Sequence, residues 1–181
     1  MFESWDTFYL LTGTSAAALV GMMFVVTTLT AEIATERVER GIIIYQNPTI
    51  FHLGAIFLAS ALAVMPEHLL MATAALLLIL GIVGAVYSAL TLRRTIESYE
   101  FYRSTLADRA FYGALPCLLY LALAAGAAAA FASSDLAAET IGAAALALLL
   151  VSIRNAWDVA RFAVRVAWKQ RSKDKSSDAA E

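Results

Sequence analysis

The stretch TFYLLTGTSAAALVGMMFVVTTLTAE, residues 7–32, carries no charged side chain until its last residue, Glu32. As a helix it reaches about 39 Å, enough to cross the roughly 30 Å hydrocarbon core of a bilayer. It also carries a hydroxyl or a glycine at every seventh position: Thr7, Thr14, Gly21 and Thr28. A helix that only anchors has no use for such a stripe, so what the stripe faces bears directly on function.

The rest of the chain belongs to the same class. Of 181 residues, 61% are hydrophobic and 15% charged, with a mean hydropathy of +0.72, against about 45–50% apolar usage in soluble domains. The single cysteine, Cys117, excludes an intrachain disulfide and a cysteine-based metal site. The opening MFESWD has acids where a secretory signal has a basic region, so the first helix is expected to be retained. Lipidation signals are not expected either, since no glycine follows Met1 and the chain ends in SSDAAE.

Five segments have the length and apolarity of transmembrane helices: 5–30, 48–65, 69–92, 110–132 and 136–155. Pro48 and Pro66 stand just inside the starts of the second and third, where a missing N–H costs nothing. Asp135 is placed to cap the fifth, and Glu139 adds charge that the helix dipole favours. The connections MPEH and SSD are short. They predict one lone helix followed by two tight hairpins, 48–92 and 110–155, in an all-α polytopic membrane protein.

All 13 basic residues fall on one side of this arrangement. Lys and Arg are retained on the cytoplasmic side, which puts the N-terminus outside and the C-terminus inside a plasma or bacterial inner membrane. A single domain over 1–171 is expected, with 172–181 a disordered polar tail. Residues 30–41 are expected to prolong the first helix, with Glu36 and Arg40 paired one turn apart, and GIIIYQN, 41–47, to pack against the cytoplasmic ends.

No phosphate loop, zinc pair or nucleophile elbow occurs, so neither an enzyme nor a metal or organic cofactor is expected. The two histidines, His52 and His68, bracket one helix about 24 Å apart and cannot share an iron. His52 is expected near the inner headgroups, where it is the pH-sensitive candidate. The midplane of the five helices is expected to be dry, which argues against coupled transport.

Thr7, Thr14, Ala18, Gly21, Val25, Thr28 and Glu32 share about 80° of helical arc. Small residues and threonines of this kind allow close helix packing. Repeated around an oligomer axis, they would instead form rings of hydroxyls ending at Glu32, and acidic rings select cations. Two functions are therefore expected. One is an oligomeric cation pore lined by the first helix. The other is an accessory protein whose cytoplasmic helix, with Trp157, Arg161, Arg165, Trp168 and Lys169, docks a partner or anionic lipid. The partners of either are the bilayer and further copies of the chain, not nucleic acid.

Overall fold

A computed structural model of the chain describes residues 3–31, 45–66, 69–97, 105–132 and 136–178. It is all-helical, with no strand among these residues. After one 3-10 turn, Glu3–Trp5, come α1 (Asp6–Ala31), α2 (Asn47–Ala63), α3 (Leu70–Glu97), α4 (Leu106–Phe131) and α5 (Leu136–Asp178). Four stretches are long and apolar enough to cross a membrane: Asp6–Thr28, Leu70–Glu97, Leu106–Phe131 and Leu136–Phe162. The fifth apolar helix, α2, has 17 residues and is shorter than these.

Local sequence accounts for the helix ends. Pro48 stands in the first turn of α2, where its rigid φ suits entry into a helix. Thr105 opens α4 with a capping box: its hydroxyl accepts from Asp108 N at 3.2 Å, and the Asp108 carboxylate accepts from Thr105 N at 2.8 Å. This box starts α4 ahead of residue 110, the boundary expected from hydropathy. Helix α5 runs for 43 residues, about 64 Å, and continues into the 172–181 segment read as a polar tail. The expected cap at Asp135 lies outside the described residues, as do the parts of the expected prolongation (30–41) and packed segment (41–47) that fall within 32–44.

Consecutive helices run antiparallel. Gly13 of α1 lies against Ser60 of α2, while Thr27 near the end of α1 accepts a hydrogen bond from Gln46, just ahead of α2. The first helix is thus not solitary but packs along α2. Helix α4 in turn packs most extensively on α3 and next on α5, so the bundle is not divided into two separate hairpins. The arginines at the end of α3 (Arg93, Arg94), the start of α4 (Arg109) and the far part of α5 (Arg154, Arg161, Arg165) gather at one end. Asp6 and Glu139 sit at the other.

Helix α2 is the inner element, with more than half of its residues buried. One core layer joins Tyr9, Ala59, Leu77, Leu123, Ala127 and Ile141 near the acidic end. A second joins Ala16, Leu53, Ile56, Tyr120 and Leu148 in the middle. With no water to expel between lipid-soluble helices, close packing has to hold them together. Gly84 shows how: a Cβ there would collide with the ring of Tyr120, so only glycine lets that ring cross α3.

Candidate functional site

Helix α1 divides cleanly into two faces. Tyr9, Thr12, Gly13, Ala16 and Met23 point into the bundle, and Tyr9 Oη donates to Ala138 O of α5 at 2.8 Å. Thr7, Thr14, Ala18, Gly21, Val25 and Thr28 point away from it, and a Cβ on Gly21 would meet nothing within 4 Å. The stripe therefore packs against no described helix of its own chain. Gly13 and Ala16 make the close approach instead. Thr14 and Thr28 donate to the carbonyls of Leu10 and Phe24, at 2.7 and 3.0 Å. Their donors are satisfied within the helix, and their oxygen lone pairs remain on the outer surface. Large apolar side chains, Leu10, Leu11, Met22 and Phe24, flank the stripe and are also exposed. Glu32, the expected end of the stripe, lies outside the described residues.

His52 is fully buried in the bundle interior. Its Nδ1 lies 3.0 Å from the hydroxyl of Tyr120, in the middle of α4. Helix α2 begins level with Thr27, near the end of the apolar span of α1. Tyr87 of α3 meets the imidazole edge-on, with centroids 6.3 Å apart, and stacks on Phe51 at 4.0 Å. A polar and aromatic cluster drawn from three helices thus lies inside the bundle. His52 was the sequence signal of this cluster, whereas its tyrosine partners gave none, since a tyrosine in an apolar run has no periodicity to give it away.

Nearer the basic end, α4 widens into a π-helical turn, Ala110–Ala114. Asn155 of α5 is fully buried and donates from Nδ2 to Phe111 O at 3.0 Å, while Tyr112 Oη donates to Asn155 O at 3.3 Å. Arg154 lies over the Phe111 ring, 3.9 Å from its centroid, and pairs with Asp158 at 3.2 Å. π-Turns are rare and concentrate where helices have functional geometry.

Beyond this point Trp157, Val164 and Trp168 are 66%, 68% and 76% exposed. Arg161 and Arg165 are exposed beside them. Lys169 lies on the same helix, and its side chain is outside the described residues. The structure therefore keeps the sequence-derived residues of α1 and α5 on outer surfaces and draws His52 inside. Among the described residues, no group of three His, Cys, Asp or Glu side chains is placed to hold a metal ion. No family model, curated protein or solved structure matches the chain.

Proposed function

We propose that this is a five-span, non-enzymatic subunit of a homo-oligomeric cation pore in a plasma or bacterial inner membrane, oriented N-terminus out and C-terminus in. The carrying observation is the position of the stripe: Thr7, Thr14, Ala18, Gly21 and Thr28 are exposed on a helix of membrane-spanning length. Around an axis, the flanking Leu10, Leu11, Met22 and Phe24 would pack between neighbouring subunits and the threonine oxygens would face the centre. Gly21→Leu tests this. If the stripe faces a hydrated axis, the variant keeps its oligomeric state in detergent and loses cation flux in liposomes. Overpacking of a tight contact costs about 1–3 kcal/mol, so dissociation of the variant would place the stripe in a packed interface instead.

The exposed Trp157, Val164 and Trp168 beside Arg161 and Arg165 favour a second role, docking of anionic lipid or a cytoplasmic partner by α5. Each cationic residue near an anionic membrane contributes about 1 kcal/mol, screened by salt. Arg161→Gln with Arg165→Gln should then weaken binding to phosphatidylglycerol vesicles while leaving flux unchanged.

A further inference from the structure

Five side-chain polar atoms buried in the bundle have no hydrogen-bond partner among the described residues, and three of them are His52 Nε2, Ser88 Oγ and Ser152 Oγ. The helix registers bring all three to one depth. Gly84 of α3 lies against Tyr120 and Leu92 against Gly113, so Ser88 between them faces the turn of α4 at Pro116 and Cys117. Asn155 of α5 is bonded to Phe111, and Ile141 lies against Gly126, so Ser152 meets that same turn from the other side. His52 of α2 lies at this depth too, its other ring nitrogen, Nδ1, 3.0 Å from the hydroxyl of Tyr120, one turn beyond Pro116. Ser60 and Thr73 share the condition but lie elsewhere: Ser60 against Gly13 of α1, and Thr73 in the first turns of α3.

A buried hydroxyl or imidazole nitrogen without a partner is costly, and more so in a bilayer than in a soluble core. Four helices converge here with groups that donate and accept, namely two serines, a tyrosine and a histidine, and with no carboxylate. Such a neutral, mixed set suits water, which fills roomy polar sites when it finds two to four partners. A metal ion would need charged or more numerous oxygen ligands.

The surroundings of this site are asymmetric. Toward the acidic end it is closed by the apolar layer of Leu77, Leu123, Ala127 and Ile141. Toward the basic end Ser152 is followed within one turn by Asn155, whose Oδ1 accepts from Arg154 Nη1 at 3.2 Å. Arg154 and Asp158, paired beyond it, are 35% and 38% exposed. We propose that His52, Ser88, Ser152 and Tyr120 hold a cluster of water molecules inside the bundle, and that this cluster exchanges with solvent from the basic end only.

Water-edited NMR of the full chain in lipid nanodiscs tests this, with His68→Gln leaving His52 as the sole histidine. Magnetisation from water should reach the His52 ring at least about fivefold faster than the Leu123 methyl groups, as expected for an ordered internal water. Equal, slow transfer to both would mean a dry interior and would overturn the proposal. This comparison needs no core substitution. Ser152→Val should then suppress transfer to His52, whereas Thr73→Val, near the acidic end, should leave it intact. The reverse pattern would overturn the one-sided entry.

Discussion

The side-chain amide of Asn155 replaces a main-chain donor that Phe111 lacks. In the π-turn of α4, Leu115 N donates to Ala110 O, five residues back. The next bond in that register would run from residue 116 to Phe111 O, but residue 116 is proline and has no N–H. Asn155 Nδ2 supplies the bond at 3.0 Å, across from α5. The π-turn, Pro116 and Asn155 are thus one device that joins two helices through a carbonyl left open by the sequence.

Breaking this device has a defined cost. Asn155→Ala leaves the half-buried Phe111 carbonyl unpaired and should destabilise the protein by about 1–3 kcal/mol, seen as a lower thermal midpoint in detergent. Pro116→Ala restores an N–H that can close the π register. In that background Asn155→Ala should cost about 1 kcal/mol less, a coupling of the size found between contacting groups. Purely additive effects would show that Asn155 and Pro116 act independently.

How much of this was legible differs by element, for physical reasons. The helical class and the apolar spans follow from hydropathy, because the bilayer's thickness sets a length that composition reports directly. Which face of α1 turns inward did not follow. Gly13 and Ala16 are as small as Gly21 and Ala18, and only the partner surface at Ser60 distinguishes the two faces. The burial of His52 did not follow either, because the hydroxyl that its Nδ1 meets belongs to Tyr120 on another helix. Asn155 gave no signal because its role depends on a proline some forty positions earlier on another helix.

Topology is the most direct test of the five-span reading. Single cysteines at Pro66 and Ala132, in a Cys117→Ser background, should react with an impermeant maleimide added outside intact cells. Cysteines at Thr105 and Lys175 should react only after permeabilisation, since basic residues are retained on the cytoplasmic side. Labelling of Pro66→Cys and Thr105→Cys from the same side would remove α3 from the membrane-spanning set.

The pore reading of α1 also predicts the outcome of a change that preserves shape. Thr14 and Thr28 donate to Leu10 O and Phe24 O, bonds to carbonyls that α-helical geometry already satisfies, so losing them has little effect on stability. Valine is close to threonine in volume but has a methyl in place of the hydroxyl, so Thr14→Val with Thr28→Val keeps the contour of the exposed face and removes its oxygens. If that face packs against another copy, the contour is what matters and the oligomer and thermal midpoint should stay within about 0.5 kcal/mol of wild type. If it lines a hydrated axis, the oligomer should persist equally well but the wall becomes apolar, and a constricted apolar wall dewets. Liposome cation flux should then fall while size-exclusion behaviour is unchanged. Flux equal to wild type from the double valine variant would exclude these hydroxyls from the conducting path.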